Sequence, residues 1–256
     1  MQNLFSLKGK TALITGASSG IGAHIAKTFA LAGCNVIVAA RRIERLDALV
    51  TELHQQGAKA YAVEMDVRDA ASVHSAFELA HSQFGTPDII INNAGISGEF
   101  QAVSDTCEED MDRVFDVNFK GAWRVSKTAC DRLIAQGKQG SIINLISIAA
   151  HGHAAGISSY AMSKTALLSL TKNLALEVAE HGIRVNAISP GTFHTEMTEA
   201  EYDDNGNNVF TDLPPLGREG KLSDLDGMFM FLASDASSFI TGTCTPVDGG
   251  HLLRSL

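Results

Sequence analysis

Short, mainly apolar segments alternate with longer segments of helical pattern along most of this chain. The short segments, among them Thr11–Thr15, Asn35–Ala40 and Gly140–Ile146, lack the polar alternation of a strand that has one face in water. Strands of this kind are expected in a parallel sheet whose two faces are both covered by helices. The alternation therefore predicts an α/β fold with a doubly wound parallel sheet.

The segments between these runs have the apolar spacing of helices, and most of them end next to a glycine. We predict helices over Ile21–Ala32, Glu44–Gln56, Ala70–Phe84, Asp105–Gln136 and Ser158–His181, and further strands over Ala60–Glu64, Asp88–Ile91 and Ile183–Ile188.

The rhythm of strands and helices breaks at residues 191–221, where Pro214 and Pro215 follow a polar run at 203–208. Long irregular segments in compact domains are commonly functional, so we interpret this one as a substrate lid. No repeat and no Pro/Ser-rich linker divides the chain. We therefore predict one domain over residues 1–256.

The charge and cysteine content exclude several classes of protein. Lysines and arginines number 20 against 29 aspartates and glutamates, a formal net charge of −9, which argues against a surface for nucleic acid or anionic membrane. The four cysteines are scattered without a CxxC pair, so we expect no disulfide and no metal site. No apolar run approaches the ~18 residues of a membrane span, and the start of the chain does not resemble a secretory signal. We expect a cytoplasmic protein.

The turn after the first predicted strand is rich in glycine: residues 15–22 read TGASSGIG. Glycines let the backbone approach a pyrophosphate closely, and the following helix directs its free N–H groups and positive dipole end at the anion. This glycine turn predicts dinucleotide binding on a Rossmann-type sheet, with a plain βα turn as the alternative. Its candidate binding residues are Gly16, Ser18, Ser19, Gly20, Ile21 and Gly22.

The end of the second predicted strand indicates which dinucleotide binds. NAD(H) ordinarily meets an Asp or Glu about 20 residues after the glycines. Here the strand ends in Ala39 and Ala40, and Arg41 and Arg42 follow. A guanidinium matches a phosphate in charge and in hydrogen-bonding geometry. We hypothesise that Arg41, together with Arg42, selects NADP(H); if both are only solvated charges at a helix start, NAD(H) is the alternative.

Further motifs follow the later strands. Tyr160 and Lys164 lie four residues apart, on one face of a predicted helix, and Ser147 precedes the tyrosine by thirteen residues. Residues 92–95 read NNAG, and residues 190–191 read PG. In this order, together with TGASSGIG, the motifs resemble the single-domain branch of the short-chain dehydrogenase/reductase family over essentially the whole chain.

The resemblance implies a role for each matching residue. Tyr160 is implied to be the catalytic acid/base, and Ser147 to hold the substrate oxygen. Lys164 is implied to bind the nicotinamide ribose and to lower the pKa of the tyrosine, and Asn118 to support a proton-relay water beside it. Further implied cofactor contacts are Asp66, Val67, Asn93, Ala94, Gly95, Pro190, Gly191 and Thr195.

Elementary chemistry supports these roles. Reduction of a ketone needs a hydride at carbon and a proton at oxygen. A free tyrosine has a pKa near 10, and a nearby ammonium favours its phenolate, so the phenol can exchange a proton closer to neutral pH. A serine hydroxyl can donate to the substrate oxygen where negative charge grows. Singly, Tyr160 and Ser147 could be ordinary helix and turn residues.

The substrate segments depart from the family pattern and leave the substrate open. Residues 196–216 carry six acidic side chains and neither Lys nor Arg, which disfavours polyanionic substrates. His153, Ile157 and Phe193 are candidate pocket residues beside Ser147 and Tyr160. We hypothesise a neutral, partly apolar ketone or secondary alcohol.

The leading prediction is an NADP(H)-dependent oxidoreductase that interconverts a ketone and a secondary alcohol, a carbonyl reductase. The alternatives within the family are an NAD-dependent sugar or polyol dehydrogenase and a 3-oxoacyl thioester reductase. A nucleotide-sensing scaffold is the alternative without catalysis. The resemblance also implies a homodimer or homotetramer.

Overall fold

Seven parallel strands form a sheet in the computed structural model, which describes residues 4–152, 154–199 and 214–254. The strand order is β3-β2-β1-β4-β5-β6-β7. The strands are β1 Thr11–Thr15, β2 Asn35–Ala40, β3 Ala60–Glu64, β4 Ile89–Asn92, β5 Gly140–Leu145, β6 Ile183–Pro190 and β7 Cys244–Val247. The predicted doubly wound, Rossmann-type sheet is therefore confirmed.

Helices cover both faces of this sheet. They are α1 Gly20–Leu31, α2 Ile43–Gln55, α3 Ala70–Phe84, α4 Glu108–Phe115, α5 Ala122–Ala135, α6 Ser158–Val178 and α7 Asp226–Ala233. The apolar sides of α1, α2 and α7 pack on one face, and those of α3, α5 and α6 pack on the other.

The β1 residues show why the strand sequences lack polar alternation. Ala12 and Ile14 enter the core with α1 and α2, whereas Leu13 between them enters the core with α3 and α5. Successive strand residues point to opposite faces, so with helices on both faces each position is buried. Among the described helices, none is long and apolar enough to cross a bilayer.

The chain reverses its direction of travel across the sheet at β1. This strand pairs with β2 on one side and with β4 on the other. The turns that follow β1 and β4 therefore meet at the carboxyl edge of the sheet, and such a switch point opens the crevice in which α/β proteins bind ligands.

The predicted helix Asp105–Gln136 is wrong in one respect, because the structure divides it. Helix α4 begins only at Glu108, and a π-helical turn over Asp116–Gly121 separates it from α5. The predicted helix Ser158–His181 ends at Val178 and continues as a 3₁₀ turn over Ala179–His181.

The last strand and helix were not among the predicted elements. Strand β7 contains Pro246 and lies at the edge of the sheet, where a residue without an N–H is tolerated. Of the predicted lid, residues 191–199 and 214–221 are described and contain an isolated bridge between Phe193 and Gly220. Residues 200–213 lie outside the described residues.

Removing a core side chain should destabilise the fold strongly. Phe77 on α3 is 0% exposed, so Phe77→Ala should lower the free energy of unfolding by about 3–5 kcal/mol. Leu79, on the same helix, is 46% exposed, and Leu79→Ala should change it by only about 0.5 kcal/mol. Equilibrium denaturation of both variants measures the difference. Equal losses would show that the sheet face assigned to α3 is incorrect.

Candidate active site

The turns after β1 and β4 are joined by hydrogen bonds. Thr15 Oγ1 accepts from the backbone N–H groups of Asn93 and Ala94, each at 3.1 Å. In return, Asn93 Nδ2 donates to the carbonyl oxygens of Thr15 at 2.9 Å and of Gly16 at 3.1 Å. Each turn is thus held by a side chain of the other, and the glycine turn has a fixed position at the carboxyl edge.

Two glycines allow this close approach of the two turns. Gly16 has φ +66°, and a Cβ there would lie 2.8 Å from Cα of Ala94. A Cβ on Gly22 would lie 2.5 Å from Asn93 Nδ2. Because a Cβ at either position would clash with the NNAG turn, only glycine lets the two turns pack this closely.

Lys164 is buried at the same edge, one helical turn after Tyr160. The side chain is 4% exposed, and Nζ donates to the Leu145 carbonyl at the end of β5, at 2.9 Å. Its Nζ lies 5.6 Å from the centre of the Tyr160 ring, and a Cβ on Gly95 would come within 3.4 Å of it. Loss of hydration on burial lowers the pKa of Lys164 to about 8.

Asn118 projects from the π-helical turn and is fully buried. Its Oδ1 accepts from the Ile96 N–H at 2.8 Å, and its Nδ2 donates to the Ile96 carbonyl at 2.9 Å. Nδ2 also donates to Ser163 Oγ at 3.0 Å. Asn118 therefore ties the NNAG turn to α6, and a π-turn at such a position is typical of functional sites.

Ser163 is a site residue that the sequence analysis missed. Its hydroxyl accepts from Asn118 and donates to the Tyr160 carbonyl at 2.7 Å, so it connects the asparagine to the helix that carries Tyr160 and Lys164. The available signal was its place three residues after Tyr160, on the same helical face. A serine in a helix is too common for that signal to be specific.

Ser147 lies just beyond β5 and begins a short 3₁₀ turn, Ile148–Ala150. Its Oγ accepts from the Ala149 N–H at 3.1 Å. That bond uses a lone pair and leaves the hydroxyl hydrogen available for another acceptor. Tyr160 is partly exposed in the first turn of α6, so a ligand at the carboxyl edge can reach it.

The Arg42 guanidinium lies beside the glycine turn. Its Nε and Nη2 donate to Ser18 Oγ at 3.1 and 2.9 Å, and Nη2 donates to Ser19 Oγ at 3.0 Å. Arg41 is exposed. The pKa of Asp66 lies below its usual value chiefly because Arg68 hydrogen-bonds the carboxylate, and Arg41 contributes through its charge. Both predicted arginines therefore lie near the strand ends that would face an adenosine.

The other predicted cofactor residues occupy the same edge. Val67 packs against Gly121 of the π-helical turn, and Gly191, after Pro190, donates its N–H to the Val247 carbonyl at 3.0 Å. Thr195 lies over the glycine turn, where a Cβ on Gly20 would be 3.4 Å from the threonine Cβ. The N-terminal part of the predicted lid thus covers the glycine turn.

The predicted substrate residues are less convergent. Ile157 immediately precedes α6 and is partly exposed. Phe193 is 5% exposed and belongs to the core beside α7, with its ring against Gly220; its part in substrate binding stays a prediction. His153 lies outside the described residues. Within the described ranges, no group of three or more His, Cys, Asp or Glu residues could hold a metal.

The site fits the predicted dinucleotide. Gly16 and Gly22 let the glycine turn pack against the NNAG turn at the start of α1, where a pyrophosphate would lie. Arg42, Ser18 and Ser19 supply a cation and hydroxyls beside it. Lys164 Nζ lies at the other end, 3.4 Å from where a Cβ on Gly95 would be. The glycine turn and Lys164 would hold the group.

Comparisons with known proteins agree with this geometry. The family model described as Enoyl-(Acyl carrier protein) reductase matches residues 16–251. Oxidoreductase UcpA of Salmonella typhimurium is 42% identical over 257 residues, which cover 96% of each chain. The 3-oxoacyl-(acyl-carrier-protein) reductase FabG of Staphylococcus aureus is 37% identical over 242 residues, covering 94% of this chain and 97% of FabG.

Solved structures are similarly close. A short-chain type dehydrogenase/reductase from Mycobacterium marinum superposes with a TM-score of 0.92 at 38% identity, over 97% of this chain and 98% of that one. Gluconate 5-dehydrogenase from Burkholderia cenocepacia, in complex with NADP and tartrate, gives 0.92 at 33% identity over 98% of both chains. A 7α-hydroxysteroid dehydrogenase complexed with NADH gives 0.92 at 31% identity, over 100% of this chain and 99% of that one.

The fold and the site define an α/β protein with a dinucleotide-type crevice and a Tyr–Lys pair at its edge. With relatives this similar over nearly the whole length, the chain belongs to the short-chain dehydrogenase/reductase family of oxidoreductases.

The buried ammonium should make stability depend on pH. A native pKa of about 8 against 10.5 unfolded corresponds to a destabilisation of about 3 kcal/mol at neutral pH. Between these values the unfolded chain binds more protons, so wild-type stability should rise with pH relative to Lys164→Met. At pH 7 the variant should be the more stable, by up to about 3 kcal/mol less about 1 kcal/mol for the lost hydrogen bond.

Urea denaturation at pH 7, 8.5 and 10 measures this difference. The exposed Lys172 on the same helix supplies the control, because Lys172→Met should show no such trend. A constant difference between wild type and Lys164→Met across this range would contradict the burial of a charged amine.

Proposed function

We propose that the protein is an NADP(H)-dependent oxidoreductase that interconverts a ketone and a secondary alcohol, with Tyr160 as acid/base. One observation carries the proposal. The Lys164 amine is buried one helical turn from Tyr160 and directly beneath Gly95. Among the described residues its hydrogen bond goes to the Leu145 carbonyl and not to a carboxylate. Such an amine is of little use to the fold, whereas it suits a phenol that must transfer a proton.

Each residue of the site then has a defined task, while the bound nicotinamide supplies the hydride chemistry. In its protonated form Lys164 favours the phenolate of Tyr160 over the phenol. The phenol donates its proton to the substrate oxygen in reduction and takes it back in oxidation. Ser147 donates its free hydroxyl hydrogen to the same oxygen and stabilises the charge that develops there.

Asn118 supports these groups by position. Its amide is hydrogen-bonded on one side to Ile96 and on the other to Ser163, so it holds the NNAG turn and α6 at a fixed separation. The lysine on α6 therefore keeps its position beneath Gly95. The proton-relay water that the family resemblance implies beside Asn118 stays a prediction.

Two features of the chain support NADP(H) over NAD(H). The end of β2 carries Ala40, which offers no carboxylate to a ribose hydroxyl, and Arg42 forms a cationic site with Ser18 and Ser19. Relatives do not decide between the cofactors, since the similar gluconate 5-dehydrogenase holds NADP and the similar hydroxysteroid dehydrogenase holds NADH. The preference therefore rests on this chain's own residues.

The proposed substrate is a neutral, partly apolar ketone or secondary alcohol. The acidic residues of the predicted lid disfavour polyanionic substrates; among them, Glu199 is exposed and pairs with His194 at 2.9 Å. A 3-oxoacyl thioester reductase is the second candidate, and the 37% identity to FabG favours it. A homo-oligomer and a cytoplasmic location stay predictions.

Removing the phenolic hydroxyl should abolish proton transfer while sparing the cofactor site. Tyr160→Phe should lower kcat by about 10²–10⁴-fold, with the dissociation constant of NADPH changed much less. Absorbance at the nicotinamide band, with a panel of ketones, measures turnover, and NADPH fluorescence measures binding. Tyr61→Phe, remote on β3, is the control. A Tyr160→Phe variant of near-normal turnover would disprove the assignment.

Reversing the charge beside β2 should change cofactor preference. Arg41→Asp and Arg42→Asp should each raise KM for NADPH about tenfold or more while changing KM for NADH far less, because a charge-assisted bond to phosphate is lost. The measurement is the ratio of the two KM values. Lys59→Asp, in the loop before β3, controls for net charge. An unchanged ratio in both arginine variants would remove NADP(H) selection from this strand end.

A further inference from the structure

The carboxylate of Glu196 binds the arginines that lie beside the glycine turn. It accepts from Arg42 Nη1 at 2.8 Å and from Nη2 at 2.9 Å, and from Arg45 Nη1 at 3.0 and 3.1 Å. These contacts are a bidentate pair with one guanidinium and a forked contact with a second. Such a pair has specific geometry and is stronger than a single charged contact.

This ion pair lies next to the hydroxyl groups of the glycine turn. Arg42 also donates to Ser18 and Ser19 of the glycine turn, so the guanidinium lies between those hydroxyls and Glu196. Glu196 comes directly after Thr195, which lies over Gly20. An anion from a segment 154 residues further along the chain thus binds the same donors that a 2′-phosphate on this dinucleotide site would need.

We propose that Glu196 is a specificity-determining residue whose carboxylate competes with the 2′-phosphate of NADP(H) for Arg42 and Arg45. NADP(H) displaces this carboxylate when it binds, whereas NAD(H), which lacks the phosphate, binds with the Glu196–Arg42 pair intact. The inference rests on the proposed function, because it assigns the 2′-phosphate to this strand end.

Charge and exposure both permit the exchange. The arginines and Ser19 hold the pKa of Glu196 far below its usual range, so the competitor is an anion throughout the working range of pH. The Arg42 and Glu196 side chains are 39% and 48% exposed, so solvent screens the pair and hydrates the carboxylate once it is displaced. A phosphate, with nearly two charges and three acceptor oxygens, can therefore replace a carboxylate that has one charge.

The consequence is a smaller difference in affinity between NADP(H) and NAD(H) than the arginines alone would produce. Glu196 lowers the affinity for NADP(H) by the free energy of its own displacement. It also satisfies Arg42 when NAD(H) is bound, so that no guanidinium loses a partner. Removing the Glu196 charge should widen the preference for NADP(H).

Isothermal titration with cofactor fragments tests this without turnover. Adenosine 2′,5′-bisphosphate carries the 2′-phosphate, and adenosine 5′-monophosphate lacks it. Glu196→Gln should tighten binding of the bisphosphate about fivefold, the scale of an exposed ion pair, and change binding of the monophosphate less than about twofold. Glu199→Gln is the matched control, since Glu199 lies in the same segment but pairs with His194; it should change neither.

The outcomes separate this inference from the proposed function. If wild type binds the bisphosphate more tightly than the monophosphate but Glu196→Gln changes nothing, the competition is disproved and NADP(H) selection stands. If the preference for bisphosphate appears only in Glu196→Gln, the competition is supported. If neither protein prefers the bisphosphate, both the proposed NADP(H) preference and the competition are wrong. Equal tightening of both fragments, or by Glu199→Gln, would reduce the effect to general electrostatics and overturn the inference.

Discussion

The hydrogen bonds between Thr15 and Asn93 are the constraint on which the site depends. They join the turns that follow β1 and β4, at the point where the strand order reverses. Asn93 then places Gly95 two residues later over Lys164 and Asn118. One pair of side chains therefore sets both the position of the glycine turn and its distance from Lys164, so the two halves of the site cannot shift independently.

The buried amine of Lys164 destabilises the fold at this edge of the sheet. Its amine is buried with a carbonyl of β5 as its hydrogen-bond acceptor, an arrangement that a core selected only for stability would replace with an apolar residue. Hydrogen bonds between the neighbouring residues hold the amine in place. Asn118 and Ser163 fix α6 against the NNAG turn, so the amine cannot relax toward water without breaking buried hydrogen bonds.

Local signals explain which parts of the fold were predictable. The bounds of β1, β2, β3 and α3 match the predicted ones, because apolar strands and glycine-bounded helices are encoded in adjacent residues. The family motifs located the Tyr–Lys pair and Asn118 for the same reason. The Glu196–Arg42 pair and the Ser163 link arise from contacts between residues far apart in sequence. The burial of Phe193 likewise depends on Gly220, which no local pattern indicates.

The π-helical turn at 116–121 has a consequence for the whole helical region around it. An additional residue in one turn rotates all later side chains by about 100° about the axis. Before the turn, Asp110 and Val114 face the loop around Gly98, and after it, Val125 and Ala129 face the sheet. The segment predicted as one continuous helix therefore forms two helices with separate neighbours. Deleting one residue from this turn would rotate α5 by about 100° relative to α4. Asn118 would then move out of the crevice, and the apolar side of α5 would turn toward water.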